Sequence, residues 1–213
     1  MPTLKQDYIQ FLTDNFKGLK IKVPLFYNWD NGLRFDLQVG QTDTDEYFIE
    51  GIKRATTLFQ EVFKPSDNIF FILIDFKSKR RKIRISNYCF RQINELKKSE
   101  ISYSEVKRLS EPNDKQDIRN VAIIKLKADR INIKNILTAI SHKDFPPRQP
   151  RLKFLSSEEV FIINIDKRLI FNMYDDRGLD IISADKENLR PVYKKFNEWI
   201  LDFDRDKISK AME

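Results

Sequence analysis

The chain has 213 residues, 41% of them apolar and 17 of them Phe, enough to bury a core without disulfides. No apolar run reaches the roughly 18 residues of a membrane-spanning helix. The first residues also lack the basic stretch followed by an apolar stretch that is typical of a signal peptide. The only cysteine, Cys89, excludes an internal disulfide. Composition therefore predicts a globular cytoplasmic protein that does not contact a membrane.

The net charge of +7 is distributed unevenly along the chain. Residues 77–108 contain 11 basic and 3 acidic residues, a balance of +8, which exceeds the net charge of the whole chain. A local basic patch steers charged partners more specifically than a diffuse charge does. Any electrostatic attraction of a partner should therefore involve this segment.

The N-terminal part predicts two helices separated by a hairpin. Residues 4–16 and 46–63 each place apolar side chains on one helical face. Between them, residues 21–28 and 33–39 look extended, and the second stretch alternates apolar and polar residues. The intervening Asp-Asn-Gly at 30–32 favours a tight turn, so these two stretches are expected to pair.

The middle of the chain predicts a buried strand at 69–76, with 82–86 as its hairpin partner. A short helix, two strands and a longer helix are expected at 89–97, 101–109, 121–126 and 133–140. The proline-rich stretch at 145–150 is too short for a flexible linker between domains. We therefore expect one domain covering residues 1–213.

The C-terminal part predicts a three-stranded meander followed by a helix. The strands are expected at 160–165, 169–174 and 179–183, and the first two are apolar on both faces. The helix should begin near Asn188, with a stripe formed by Leu189, Val192, Phe196, Trp199, Ile200 and Phe203. The predicted fold class is α+β: a largely antiparallel sheet, helices packed mainly on one face, and the two terminal helices near each other.

Several blocks of the sequence resemble a bacterial protein family. The N-terminal blocks are LFYNW at 25–29, which leads into LRF at 33–35, and RATTLF at 54–59. The most specific block is FNMYDDRGLD at 171–180, and it is followed by LRP at 189–191 and NEWILDFDR at 197–205. On these residues the chain resembles the domain-of-unknown-function family DUF3885. The resemblance implies a small cytoplasmic protein of Gram-positive bacteria without an assigned activity, and it supplies no catalytic or binding residue.

The acidic cluster Asp175, Asp176 and Asp180 has two opposed interpretations. Three carboxylates at a turn could bind Mg²⁺ or act as acid and base in a metal-dependent hydrolase. Alternatively, the turn is architectural: Asp175 and Asp176 accept from its amides, Gly178 takes a positive φ, and Arg177 pairs with a carboxylate. We favour architecture, because no metal-ligand spacing is present, and we expect neither a metal nor a cofactor.

Six cations lie within residues 77–84, namely Lys77, Lys79, Arg80, Arg81, Lys82 and Arg84. The favoured interpretation is a charged hairpin edge that resists aggregation. An acidic protein partner and a nucleic acid are the alternatives. Interleaved aromatics, which stack on single-stranded bases, are missing, so any nucleic-acid binding should be weak and nonspecific.

Three further residues, Cys89, His142 and Trp29, are functional candidates by residue type. A nucleophile pair of Cys89 and His142 lacks supporting sequence context, so we expect no catalytic role for either. Trp29, which precedes a turn, could anchor a partner, but packing onto the core is favoured.

The sequence thus predicts a non-enzymatic interaction protein with a protein partner of unknown identity, by analogy an immunity protein that neutralises a toxin. The alternatives are the hydrolase and nonspecific nucleic-acid binding through 77–84. The residues expected to contact a partner are Trp29, Lys79, Arg80, Arg81, Lys82, Asp175, Asp176, Arg177 and Asp180.

Overall fold

A seven-stranded sheet, antiparallel at every pairing, organises the protein. The computed structural model describes residues 2–76, 82–107, 118–152 and 158–212. The strands are β1 (Gly32–Asp36), β2 (Asn68–Phe76), β3 (Ile101–Lys107), β4 (Ile118–Lys127), β5 (Glu159–Asn164), β6 (Leu169–Met173) and β7 (Gly178–Ser183). Their order across the sheet is β1-β7-β6-β5-β2-β4-β3. The predicted α+β class with a largely antiparallel sheet is confirmed.

Helices cover both faces of this sheet, but unequally. They are α1 (Leu4–Phe16), α2 (Asp45–Val62), α3 (Tyr88–Arg91), α4 (Ile133–Ser141), α5 (Arg190–Lys195) and α6 (Arg205–Met212). Alternate residues of β2 belong to two separate cores, with Phe71 on one face and Ile72 on the other. The larger core receives α2 to α6, and the smaller receives α1. Most helices therefore share one face as predicted, but the expected proximity of α1 and α6 is wrong.

The predicted helices near 4–16, 46–63 and 133–140 are confirmed, and their ends have local causes. Thr3 and Gln6 form a capping box at the start of α1, each side chain accepting from the other's backbone N–H. Thr44 and Asn132 cap α2 and α4 in the simpler way, through a side-chain oxygen. Within the described residues, no helix is both long enough and apolar enough to cross a membrane.

The predicted N-terminal hairpin is wrong. Residues 21–28 form no strand, and Phe26–Asn28 is a single 3-10 turn. β1 pairs instead with β7, where Leu33 lies opposite Ile181. Pro24 has no N–H to donate to a ladder, whereas burial of Leu25 and Phe26 fixes this segment against the sheet.

The predicted pairing of β2 with residues 82–86 is also wrong. β2 is an interior strand, paired with β4 along one edge and with β5 along the other. Both of its hydrogen-bonding edges are therefore occupied, and residues 82–86 form no strand. The C-terminal meander is confirmed as β5, β6 and β7.

The final helix is shorter than its apolar stripe predicted. α5 ends at Lys195, and the chain continues through 3-10 turns at Asn197–Trp199 and Asp202–Asp204 before α6 begins. Between these turns, Ile200 bridges to Phe35 and the Leu201 N–H donates to the Arg34 carbonyl at 2.9 Å. Pairing with the edge strand β1 therefore replaces the helical hydrogen bonds that periodicity alone predicted.

Candidate functional site

Three polar side chains lie side by side on the face of the sheet that α1 covers. Arg34 of β1 and Asn172 of β6 both lie opposite Asp180 of β7 in the strand register. Neighbouring residues on the same face, such as Ile170 and Ile182, belong to the smaller apolar core. We call Arg34, Asp180 and Asn172 the polar row. Asp180 is 0% exposed and Asn172 is 1% exposed, so the row is an internal feature whose polar groups need partners.

The centre of the polar row is a buried ion pair. Arg34 Nε donates to Asp180 Oδ1 at 2.9 Å, and the Phe26 N–H donates to Asp180 Oδ2 at 3.0 Å. Burial raises the pKa of Asp180 to about 6, although the Arg34 guanidinium opposes this shift. The pair is therefore ionised at neutral pH, and the carboxylate gains a proton on mild acidification.

Aromatic rings and a second carboxylate enclose the Arg34 guanidinium. Its central carbon lies 4.8 Å from the centroid of the Tyr27 ring and 4.9 Å from that of Tyr174. Asp204 Oδ2 lies 3.8 Å from Arg34 Nη1 and accepts from the Tyr27 hydroxyl at 2.9 Å. Segments that are far apart in sequence, namely 25–29, 171–180 and 197–205, therefore meet at one arginine.

Gly178 is required at its position by packing. The prediction of a positive φ is wrong, because the glycines with positive φ are Gly18 and Gly40. A Cβ built on Gly178 would overlap with the hydroxyl and ring of Tyr174. The absence of a side chain thus allows Tyr174 to cross β7 and reach Arg34.

The turn before Gly178 contains one of the contacts that the architectural interpretation predicts, the pairing of Asp175 with Arg177. Asp175 accepts from the Arg177 backbone N–H at 2.8 Å and from its Nε at 3.0 Å. Asp176 accepts from the hydroxyl of Tyr47, on α2, at 2.5 Å, and burial raises the pKa of Asp176.

The carboxylates of this cluster do not converge as a hydrolase would require. Asp175 is bound to Arg177, Asp176 to Tyr47 and Asp180 to Arg34. Across the described parts of the chain, no group of three His, Cys, Asp or Glu side chains could hold a metal ion. Each of the three carboxylates is thus engaged by a different side chain of the protein.

The predicted partner-contact residues are scattered. Trp29 is half-buried: its Nε1 donates to the Ser183 carbonyl at 2.7 Å and its ring lies 5.2 Å from that of Phe16. Arg177 and Lys82 are exposed, and Asp175 and Asp176 are buried. Asp180 is inside the protein and cannot contact a partner in this conformation. Lys79, Arg80 and Arg81 lie outside the described residues.

Cys89 and His142 occupy different structural settings. Cys89 is buried in the larger core, and burial raises the pKa of its thiol. His142 Nδ1 lies 3.0 Å from the Pro150 carbonyl oxygen, and its ring packs against Phe48. Burial lowers the pKa of His142. Cys89 and His142 are thus each packed against other parts of the protein. The Cys89 thiol is neutral, which makes it a poor nucleophile.

Sequence reasoning missed Arg34, Tyr27 and Asp204 as site residues. The alternation of residues 33–39 is typical of a half-buried strand in which Arg34 would face solvent, but both faces of β1 are covered. The available signal was that opposite charges, Arg34 and Asp180, each interrupt an apolar strand. A buried charge needs a partner of opposite sign, so these two strands could have been paired on that ground.

The aromatic side chain of Phe203, next to Asp204, is exposed to water. Phe203 is 86% exposed, although the adjacent Asp204 is buried. Tyr27, whose hydroxyl binds Asp204, is 47% exposed. Sequence periodicity had placed Phe203 in the core, whereas the 3-10 turn at Asp202–Asp204 directs it outward.

Comparison with known proteins identifies relatives without an assigned activity. The family described as "Domain of unknown function (DUF3885)" matches residues 8–204. The chain is also similar to the "Uncharacterized protein YnaE" of Bacillus subtilis (strain 168), with 26% identity over 214 aligned residues that cover 92% of this chain and 97% of that protein. No solved structure matches the chain.

Proposed function

Since this chain belongs to DUF3885, a family of unknown function, we propose that it is a non-enzymatic interaction protein that binds a protein partner through Phe203. Aromatic side chains, Phe among them, are enriched at protein interfaces relative to the rest of the surface. The observation that carries the proposal is an aromatic ring held in water by a well-fixed turn.

The turn that presents Phe203 is anchored on both sides. Before it, the Leu201 N–H donates to the Arg34 carbonyl at 2.9 Å. After it, Asp204 is buried against Tyr27, and Arg205 donates to the Asn197 and Ile200 carbonyls at 3.1 and 3.0 Å. The backbone of such a turn is already ordered, so binding need not order this segment, which favours affinity.

The surroundings of Phe203 suit a protein interface. The exposed part of Tyr27 adds a second aromatic surface close to Asp204. Charged groups flank it: Lys207 Nζ lies 5.3 Å from the Tyr27 ring centroid, and Arg205 pairs with the exposed Asp202 at 2.9 Å. An aromatic centre with a charged rim is the usual arrangement at such interfaces.

The non-enzymatic part of the proposal is supported by the carboxylate geometry. Asp175, Asp176 and Asp180 are each bound to a different structural partner. An immunity role against a toxin is a narrower form of this proposal. Its test is co-expression with the product of each neighbouring gene, where rescue of growth by the wild type but not by Phe203→Ala supports it.

The general test compares Phe203→Ala with Ile49→Ala, a control on α2 that is also strongly exposed, at 62%. Proteins captured from the host cell by the wild type are identified, purified and titrated against all three chains by calorimetry. Phe203→Ala should weaken the complex about 30-fold, as expected for a hot-spot residue worth about 2 kcal/mol. Ile49→Ala should leave affinity within about twofold, a change of about 0.4 kcal/mol.

Stability provides the matching control for this experiment. Phe203 is mostly in water, so its removal should not change the urea midpoint of the free protein. A reconstituted partner that binds Phe203→Ala as tightly as the wild type would contradict the proposed binding surface.

A further inference from the structure

A cleft of about 500 Å³ lies where the C-terminal end of α1 meets the turn before β1. Asp14 and Asn15 of α1 line it, together with Lys17 at the end of that helix. Residues 28–31 and Ala184, which follows β7, complete the lining. The volume is within the range of sites that take up small ligands.

Trp29 is held at two points in this cleft. Its Nε1 donates to the Ser183 carbonyl at 2.7 Å, and its ring packs against Phe16 with centroids 5.2 Å apart. The side chain is nevertheless only half-buried, and its exposed part lines the cleft. Tryptophan is the aromatic side chain that attracts cations most strongly. A fixed indole surface that is open to solvent therefore suits a cationic group.

The polar lining around Trp29 is rich in hydrogen-bond acceptors. Asn15 donates its Nδ2 to the Phe11 carbonyl at 2.9 Å, and Asn28 donates its Nδ2 to the Pro24 carbonyl. Among the described residues, no group donates a hydrogen bond to the Oδ1 atom of either amide or to the exposed carboxylate of Asp30. A ligand in this cleft should therefore bring several hydrogen-bond donors.

The charged side chains of the lining favour a cation over an anion. Asp14 and Asp30 contribute carboxylates and Lys17 contributes an ammonium, and all three residues are exposed. Asp14 also accepts from Gln10 within α1 at 2.7 Å, so Asp30 is the carboxylate with both oxygens available. Lys17 acts against a cationic ligand, but an exposed lysine on a flexible stem interacts weakly through water.

Among cations, a guanidinium group matches these features best. It is planar, carries several N–H donors and no acceptor, and stays charged at any ordinary pH. It stacks on an aromatic face while its edge donates to a carboxylate in a bidentate way. A compact ammonium cannot stack in this manner, and a neutral group gains neither the ring nor the carboxylate interaction.

We propose that this cleft binds a guanidinium group, supplied either by an arginine side chain of a peptide or by free arginine. The guanidinium plane stacks on Trp29, and its N–H groups donate to the Asp30 carboxylate and to the amide oxygens of the lining. This site is separate from the proposed Phe203 surface and does not depend on it.

Trp29 itself serves as the reporter in the first test. The chain has two tryptophans, so Trp199→Phe leaves Trp29 as the single indole fluorophore. Millimolar Nα-acetyl-L-arginine methylamide should change its emission in a saturable way. The matching lysine derivative, with the same charge, should bind at least about tenfold more weakly, and the neutral citrulline derivative should not bind. Calorimetry on the wild type repeats the comparison without any substitution.

Free L-arginine, compared with free lysine and citrulline, distinguishes the two sources of the group. Binding of the blocked arginine at least as tightly as of free L-arginine indicates an arginine side chain within a peptide. Binding of free L-arginine alone indicates the amino acid itself.

Substitutions locate the site. Asp30→Asn should weaken binding of the arginine form that binds at least about tenfold, whereas Asp144→Asn, at an exposed aspartate outside the lining, should leave it unchanged. Phe203→Ala should also bind it as the wild type does, which separates this proposal from the interaction surface. The proposal is overturned if neither form of arginine binds, if the lysine or citrulline compounds bind equally well, or if Asp30→Asn has wild-type affinity.

Discussion

Asp180 shows how a single residue can tie the stability of this protein to pH. Its carboxyl is fully buried, and burial raises its pKa from 3.8 to about 6, against the lowering effect of Arg34. The folded protein thus holds this proton more tightly than the unfolded chain does. The contribution of Asp180 to the free energy of unfolding is therefore greatest below pH 3.8 and decreases as the pH rises to about 6.

Carboxyl carbon NMR should show Asp180 titrating near pH 6, well above its ordinary value of 3.8. The free energy of unfolding, measured with urea at a series of pH values, should change with pH differently in the wild type and in Asp180→Asn, because the asparagine cannot titrate. A titration midpoint of Asp180 at or below 3.8 would contradict this prediction.

The close packing of Gly178 against Tyr174 leads to a second prediction at the scale of a single residue. Gly178→Ala places a methyl group where the Tyr174 ring lies, so the ring must leave Arg34. We expect a loss of about 1–3 kcal/mol in the free energy of unfolding, as for other overpacked sites. Urea denaturation of Tyr174→Ala, with and without Gly178→Ala, tests the cause.

In the Tyr174→Ala background, Gly178→Ala should cost little, because the overlapping ring is absent. Tyr174→Phe should not relieve the cost, since ring carbons as well as the hydroxyl overlap with the added methyl. Equal costs of Gly178→Ala in all three backgrounds would show that packing against Tyr174 is not the reason for glycine.

At the scale of an element, the segment after α5 shows how a regular pattern can mislead. Phe196, Trp199 and Phe203 lie on one helical stripe in the sequence, yet Phe196 is buried, Trp199 is half-buried and Phe203 is exposed. Trp199 stacks on Phe196 with centroids 4.9 Å apart and contacts the Arg54 guanidinium. The three side chains should therefore differ greatly in their contribution to stability.

Alanine substitutions should rank in that order. We expect Phe196→Ala to cost about 3–5 kcal/mol, Trp199→Ala about 1–3 kcal/mol and Phe203→Ala less than about 0.5 kcal/mol. Urea midpoints of the three variants check the ranking. Similar losses at all three positions would instead support one continuous buried helix.

At the scale of the whole molecule, the basic segment should determine any binding of polyanions. Residues 77–84 hold six cations and no interleaved aromatics. Binding of single- or double-stranded DNA should therefore weaken steeply with salt and show little sequence preference. Fluorescence anisotropy across a salt series measures both.

Lys82→Gln should reduce the slope of log affinity against log salt by up to about 1, as expected for one lost phosphate contact. Lys53→Gln, an exposed lysine on α2, is the matched control and should leave the slope unchanged. Tight binding to one sequence that persists at high salt would contradict the nonspecific interpretation.

The sequence by itself determined the elements whose causes are local. The helix caps at Thr3, Thr44 and Asn132 lie within a few residues of the groups they bind, so α1, α2 and α4 were predictable. The apolar runs and turns of β5 to β7 are equally local. The contact between Asp175 and Arg177 was predictable for the same reason, because the two residues lie two positions apart in one turn.

Only the tertiary structure decided the features that join distant segments. The pairing of β1 with β7, the occupation of both edges of β2, and the bridge from Ile200 to Phe35 are all contacts between residues far apart in the chain. No local pattern specifies the pairing of two strands that are far apart in the chain. For that reason the alternation around Arg34 predicts an exposed side chain and the helical stripe predicts a buried Phe203, whereas a covered sheet face buries Arg34 and an outward turn exposes Phe203.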